Sequence, residues 1–349
     1  MAGATPKLIK ELREKSGAGM LDCKKALNEC DGNIDEAIKY LREAGLAKAA
    51  KKSGNVAAEG LITILVNDEH TKATMTEVNS QTDFVAKNDQ FINLTKEITA
   101  HVQAEGCTES SELLKTTING TNFEEYLNGK IATIGENIVA RKMVTVSTDN
   151  GVVNGYVHMG KVGVILAATC ADSAKEKTVD LLKKVAMHAA SMKPTVISYK
   201  DLDAEFIKSE NKAIIADIEK ENEELVRLGK PLKHIPQFVS KQQLTQEAIA
   251  TAEKEMKEEL IAQGKPEKII DNIVKGKIGR WIEDNTQLDK ANALLSQTYV
   301  MDDSMTVEEA IKAVDSSIDI IEYVRFELGE GIEKKEEDFA AEVAAQMGK

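Results

Sequence analysis

The sequence is poor in aromatic residues, which make up 4% of the chain and include a single tryptophan, Trp281. Proteins that bind single-stranded nucleic acids stack the bases on exposed aromatic rings, so this composition argues against that class. The formal net charge of −13 argues the same way, because phosphate backbones attract basic surfaces. The strongest basic cluster is Lys48, Lys51 and Lys52, for which a solvated helix end is an equal alternative. We therefore predict no direct nucleic-acid binding.

Metal-binding, disulfide and membrane signals are also missing. The four cysteines form no C-x-x-C pair, and the five histidines show no ligand spacing. We therefore expect free thiols in a reducing compartment, with no cofactor and no metal. No stretch approaches the ~20 apolar residues of a membrane helix, and the N-terminus lacks an apolar signal core. These absences predict a cytoplasmic protein without membrane contact.

Sequence motifs for nucleotide binding and catalysis are absent as well. The chain contains no P-loop, no G-x-G-x-x-G and no G-x-S-x-G motif. Its 58 acidic residues supply paired carboxylates by chance, so such pairs do not indicate an active site. We therefore predict a protein that is not an enzyme, with an unrecognised hydrolase as an alternative.

The spacing of apolar residues divides the 349-residue chain into several parts. Helical spacing over residues 1–54 predicts a small three-helix domain. Its third helix is predicted to end at Gly45, and residues 48–54 are predicted to form an exposed linker. Two runs of β-rich segments and helices then occur in the same order. They predict an α+β core of two related subdomains with small antiparallel sheets, at residues 55–150 and at residues 151–202 with 301–331.

A long helical insertion is predicted at residues 203–300, between the two parts of the second subdomain. The sequence Gly-Lys-Pro occurs twice in it, at 229–231 and 264–266, each time after an acidic helical run. Glycine ends helices and proline starts them, so we predict a helix–helix turn at each copy and a duplicated helical hairpin. An amphipathic helix is predicted at 332–349, packed either on its own core or on a partner.

One polar turn, at residues 80–89, lies between a predicted strand and a predicted helix. Thr82 or Asp83 can cap that helix. Phe84 then has two interpretations. It packs inward as a hydrophobic staple, which spacing alone favours because most phenylalanines are buried, or it projects as a wedge into another protein.

Two long segments of the chain resemble the signatures of the elongation factor Ts family. They are LREKSGAGMLDCKKAL at residues 12–27 and VNSQTDFVAK at 78–87. Shorter segments also match, namely AMHAA at 186–190, FELGEGIEK at 326–334 and DFAAEVA at 338–344. The matches span residues 5–347. The resemblance implies that residues 1–54 form a ubiquitin-associated-like (UBA-like) three-helix domain.

The resemblance also implies a function and a partner. Members of this family are guanine-nucleotide exchange factors of translation elongation, and the expected partner is elongation factor Tu in its GDP-bound and nucleotide-free states. In the family, the segment that matches Thr82, Asp83, Phe84 and Val85 dislodges the nucleotide magnesium and so promotes GDP release. The alternative function is a helical scaffold protein that does not catalyse exchange.

Further contact residues follow from the same resemblance. Lys24, Lys52, Ile134 and His158 match family positions that touch the partner, although His158 can equally be an ordinary turn residue. Shorter family members use the helical insertion for dimerisation. This implies a possible homodimer, with a solvated helical arm as the alternative because the insertion here is longer.

Overall fold

The computed structural model describes residues 4–333. Its helices and small sheets confirm the predicted α+β class. These residues divide into two compact units, one formed by residues 4–165 with 324–333 and the other by Leu166–Tyr323. Most of the predicted helix at 332–349 lies outside the described residues. No helix within residues 4–333 is long and apolar enough to cross a membrane.

The first unit begins with three helices. They are α1 at Pro6–Ser16, α2 at Met20–Glu29 and α3 at Ile34–Lys52. Leu12, Cys23 and Leu27 are buried between them. The prediction that the third helix ends at Gly45 is wrong, because α3 continues through most of the predicted linker. Gly45 is buried where α3 meets a later helix, and a Cβ built there would lie 3.4 Å from Cβ of Ala132. This glycine therefore allows close helix packing rather than a helix end.

An antiparallel three-stranded sheet forms the centre of the first unit. Its order is β1 (Glu59–Val66), β2 (Lys72–Ser80), β5 (Val139–Ser147). The segment between β2 and β5 contains two short strands and four helices: α4 at Asp83–Ala86, α5 at Asp89–Glu105, α6 at Ser110–Leu113, β3 at Thr117–Ile118, β4 at Thr121–Asn122 and α7 at Phe123–Ile134. Phe91, Leu94, Ile98 and Phe123 belong to the large apolar cluster of this region. Helix α7 ends at Ile134, because Gly135 takes a left-handed conformation.

A second three-stranded sheet has the order β6 (Gly151–His158), β7 (Val162–Thr169), β8 (Asp319–Glu327). The division between the two units falls within β7 and β8. Strands β6 and β7 form a hairpin joined by residues 159–161, and β8 pairs with β7. The two sheets thus repeat one plan, a hairpin joined by a later strand.

A buried ion pair in the first unit fixes the loop that follows β8. Glu77 of β2 is fully buried, and its carboxylate accepts hydrogen bonds from Arg141 at 2.7 and 2.8 Å. The same carboxylate accepts the amide of Gly329 at 2.9 Å. Gly329 has φ +74°, and a Cβ there would lie 2.8 Å from the carbonyl oxygen of Ala58. Only glycine therefore fits, and the loop is held beside residues that precede β1.

The second unit is mostly helical. Its helices are α8 at Lys175–Met192, α9 at Ala204–Arg227, α10 at Gln246–Ala262, α11 at Glu267–Asp284, α12 at Gln287–Asn292 and α13 at Val307–Val314. The Gly-Lys-Pro copy at 264–266 joins α10 to α11, as predicted. The copy at 229–231 does not start a helix, which corrects that prediction. Asn222 holds the chain there in a non-helical form, because its side chain donates to the carbonyl of Lys233 at 2.9 Å and accepts that residue's amide at 2.7 Å.

Candidate functional site

Phe84 projects into solvent from a short turn at residues 82–85, which we call the phenylalanine turn. Its side chain is 81% exposed, whereas Val85 packs partly against the large apolar cluster and Ala86 is buried in it. Val85 and Ala86 thus occupy the inward positions of α4. The interpretation of Phe84 as an inward staple is therefore wrong, and the ring has the outward direction that a wedge requires.

The backbone at the start of this turn is held by a carboxylate from another part of the chain. Oε2 of Glu136 accepts the amides of Gln81 and Thr82, each at 3.0 Å. Oε1 of Glu136 accepts the hydroxyl of Thr82 at 2.6 Å. The Thr82 hydroxyl oxygen in turn accepts the amide of Val85 at 3.3 Å and so caps α4. The loop after α7 and the phenylalanine turn are therefore cross-linked by hydrogen bonds.

Asp83 is charged and already paired in this structure. Its carboxylate accepts a hydrogen bond from Lys87 at 2.7 Å. That hydrogen bond lowers the pKa of Asp83, and the charges of Lys87 and Lys161 lower it further. The exposed ring of Phe84 is thus flanked by a carboxylate that stays ionised near neutral pH.

His158 lies at the exposed end of β6. Its Nδ1 is 3.1 Å from the hydroxyl oxygen of Tyr156. The next residue, Met159, is 83% exposed and has a left-handed φ of +50°. Left-handed backbone is unfavourable for a side chain of this type. Sequence reasoning missed Met159, although an apolar residue before a turn glycine was a visible signal.

We call residues 158–161 the His158 turn, because the amide of Lys161 donates to the carbonyl of His158 there at 2.9 Å. This turn and the phenylalanine turn lie near the same end of the first sheet. The carbonyl of Gly160 accepts the amide of Ile62 in β1 at 2.8 Å. Lys161 forms an ion pair with Glu59 at 2.8 Å, and Glu59 pairs with Ser80 across β1 and β2. The charge of Lys161 is also close enough to Asp83 to lower its pKa. The structure therefore brings together these two predicted contact segments, which are far apart in sequence.

The other predicted contact residues have different surroundings. Ile134 is half-buried at the end of α7 and packs against the large apolar cluster, two residues before Glu136. Lys24 is exposed on α2, and Lys52 is half-buried in the last turn of α3. Neither lysine forms a hydrogen bond or an ion pair with residues 82–85 in the part of the chain that is described. Their contact roles stay predictions.

The site presents exposed apolar side chains, and its phenylalanine turn is held by hydrogen bonds to Glu136 and by the packing of Val85. No group of three or more His, Cys, Asp or Glu side chains among the described residues could hold a metal ion. Phe84 and Met159 are large apolar residues that are each more than four-fifths exposed. Exposed aromatic and methionine side chains are typical of protein–protein contacts.

Comparison with known sequences gives the family. A sequence model described as "Elongation factor TS" matches residues 81–235 and 233–330. The chain belongs to the elongation factor Ts family. Among curated relatives, elongation factor Ts of Aliarcobacter butzleri is 67% identical, with all of both chains covered. That of Campylobacter curvus is 55% identical over 99% of each chain, and that of Helicobacter hepaticus 49% identical over 99% of this chain and all of its own.

The match to the elongation factor Ts family includes most of the site. It begins at Gln81 and so contains the phenylalanine turn, Ile134 and His158. Lys24 and Lys52 precede the matched residues, but they lie within the full-length alignments to the elongation factor Ts relatives. The family assignment confirms the resemblance seen in the sequence and makes the chain a translation elongation factor.

Proposed function

We propose that this chain is a guanine-nucleotide exchange factor for elongation factor Tu. It binds the GDP-bound partner, dislodges the nucleotide magnesium and promotes GDP release so that GTP can bind. The observation that carries the proposal is the exposed ring of Phe84 on a braced turn, in a chain of the elongation factor Ts family. The activity needs no bond chemistry and no cofactor of its own, and its setting is the cytoplasm.

Exchange requires a difference in affinity between two states of the partner. The factor must bind the nucleotide-free partner more tightly than the GDP-bound one, and GDP and factor then weaken each other's binding equally. Burying one phenylalanine side chain contributes about 1.5–3 kcal/mol. If Phe84 is buried only when nucleotide and magnesium have left, this energy acts on the exchange step itself. The charged Asp83 beside it is placed to compete with phosphate or to repel a carboxylate near the magnesium ion.

The remaining contacts belong to the same proposal. Val85 and Thr82 support the ring, while Ile134 and His158 provide further contacts with the partner. Lys24 and Lys52 contact the partner from the N-terminal helices, and the residues after β8 form further contacts with it. A homodimer through the helical insertion stays a prediction.

Stopped-flow release of fluorescent GDP from elongation factor Tu tests the proposal. Wild type should accelerate release at substoichiometric amounts, and Phe84→Ala should slow the stimulated rate about tenfold, since a buried phenylalanine is worth at least that factor. Its stability should change by no more than about 0.5 kcal/mol because the ring is exposed. Phe206→Ala, which removes an exposed ring from α9, is the matched control and should leave the rate unchanged.

The same measurement separates the alternative functions. A scaffold protein would bind elongation factor Tu and leave the rate of GDP release unchanged at any concentration. If wild type stimulates release and Phe84→Ala does so at the same rate, the exchange function stands but Phe84 does not act as a wedge.

A further inference from the structure

We propose that Glu136 is a positioning residue for exchange, which fixes the direction in which Phe84 points. This inference rests on the proposed function and adds to it a residue that does not itself need to touch the partner. Three hydrogen bonds from the phenylalanine turn to one carboxylate carry it.

The need for such a group arises where β2 ends. Strand β2 stops at Ser80 and α4 starts at Asp83, so the amides of Gln81 and Thr82 have neither a ladder partner nor a helical one. Both residues are only partly exposed. A buried amide without an acceptor costs about 1–3 kcal/mol. Oε2 of Glu136 accepts both amides, and charge-assisted bonds of this kind are stronger than neutral ones.

The second oxygen of Glu136 orients the helix cap. A threonine hydroxyl has one proton to donate and two lone pairs to accept with. Because the Thr82 hydroxyl donates to Oε1 of Glu136, its oxygen is left to accept the amide of Val85. That bond sets the first turn of α4, which is only Asp83–Ala86 long. Glu136 therefore acts on α4 through Thr82.

The direction of Phe84 depends on this chain of contacts. A ring that is 81% exposed has few contacts of its own, so the α4 backbone decides where it points. The brace is reinforced by the next residue of the same segment, because the side-chain oxygen of Gln81 accepts the backbone amide of Asn137 at 2.9 Å. A wedge that is already ordered loses less conformational entropy when it binds than a mobile one does.

Glu136 reaches the turn because of the way α7 ends. Gly135 follows α7 with φ +88°, a left-handed conformation that turns the chain directly before Glu136. Ile134, one residue earlier, anchors the end of α7 in the large apolar cluster. The carboxylate is thus mounted on packed structure rather than on a free loop.

A variant series tests the proposal in stimulated GDP release from elongation factor Tu. Glu136→Ala removes both acceptor oxygens and with them all three hydrogen bonds. We expect the maximal stimulated rate to fall about tenfold, because the turn must then be ordered as it binds the partner. The half-saturating concentration should change less than about threefold. Glu136→Gln keeps one acceptor oxygen, and its amide can donate to the Thr82 hydroxyl, so it should stay within about threefold of wild type.

Two further measurements test whether Glu136 acts through Phe84. Amide hydrogen exchange at Gln81, Thr82 and Val85 should accelerate in Glu136→Ala while β2 stays protected. In the Phe84→Ala background, adding Glu136→Ala should have no further effect on GDP release.

A matched control uses Glu112, whose carboxylate accepts the amide of Thr108 at 2.9 Å and its hydroxyl at 3.2 Å in a similar way. Glu112→Ala should leave GDP release unchanged.

The outcomes separate this proposal from the proposed function. If wild type does not stimulate GDP release, the proposed function fails and this proposal fails with it. If wild type stimulates release but the two substitutions have additive effects, or Glu136→Ala keeps the full rate, only the positioning role of Glu136 is overturned. An equal loss in Glu112→Ala would show a general effect on stability, which would also overturn it.

Discussion

The phenylalanine turn and the helical insertion both place large apolar side chains in solvent, but they support them differently. Phe84 stands on a turn that is braced by Glu136 and packed through Val85 on the large apolar cluster. In the insertion, Val226, Leu228 and Leu232 are exposed around the end of α9. The apolar clusters of the insertion are small, such as the one that contains Leu260.

This difference teaches what distinguishes a candidate binding residue from an ordinary exposed one. Single exposed apolar residues are common on protein surfaces and need no explanation. Phe84 differs from them, because three hydrogen bonds to Glu136 fix the backbone that carries its ring. This difference is why the proposed exchange function uses Phe84 and not the exposed end of α9.

The largest expected effect concerns the packing beneath the phenylalanine turn. Phe91 is fully buried in the cluster that Val85 packs against. Phe91→Ala should lower the free energy of unfolding by about 3–5 kcal/mol, because it removes the ring and leaves a cavity. Phe84→Ala removes the same atoms seven positions away and should have almost no effect on stability. Urea unfolding of the two variants measures both values; similar losses would contradict the exposed position of Phe84.

An intermediate effect is expected on how the free energy of unfolding depends on pH. Its cause lies in the unit that carries the insertion and not in the unit that carries the phenylalanine turn. His188 of α8 is buried in the second unit, and burial lowers its pKa. Its Nδ1 accepts the amide of Val300 at 3.2 Å, and its Nε2 lies 2.9 Å from the side-chain oxygen of Gln297. Since the amide of Val300 can only donate, Nδ1 is unprotonated and Nε2 carries the proton.

The sign of the effect follows from the direction of that pKa shift. The unfolded chain binds a proton at His188 more readily than the folded one, so this group favours unfolding as the pH falls below about 6.5. Above that pH the contribution of neutral His188 to stability is complete. Below it the free energy of unfolding falls by at most about 1.4 kcal/mol per pH unit on account of this group. We expect wild type to lose more stability than His188→Gln in urea unfolding between about pH 7.5 and about pH 5.5. Equal losses would contradict the lowered pKa, because His188 would then bind a proton as readily in the folded chain as in the unfolded one.

The sequence predicts the larger elements well, because their signals are local. The apolar spacing of α1–α3 and the β-rich runs of both hairpins come from residues that are close in sequence. Phe84 was harder, since its direction depends on Val85 and Ala86 filling the inward positions. Gly45 was misjudged for a similar reason, because it meets Ala132 of α7 rather than ending a helix.

Glu136 was not predicted to have a role at the site. It lies 54 residues from Thr82, and a single glutamate among 58 acidic residues gives no pattern to recognise. A local sign is Gly135, a glycine that ends α7 directly before Glu136. Contacts of this kind become visible only when the fold is known.

The smallest expected effect tests the insertion directly. Replacing Val226, Leu228 and Leu232 together by serine should change the free energy of unfolding by no more than about 0.5 kcal/mol per site, because all three are already exposed. Stimulated GDP release should stay at the wild-type rate, since none of them is braced as Phe84 is. Sedimentation velocity on wild type and the triple variant completes the test. If wild type is a dimer and the triple variant is a monomer, these three side chains bind a second copy of the chain. The insertion would then carry binding residues, as the phenylalanine turn does, although no carboxylate braces them.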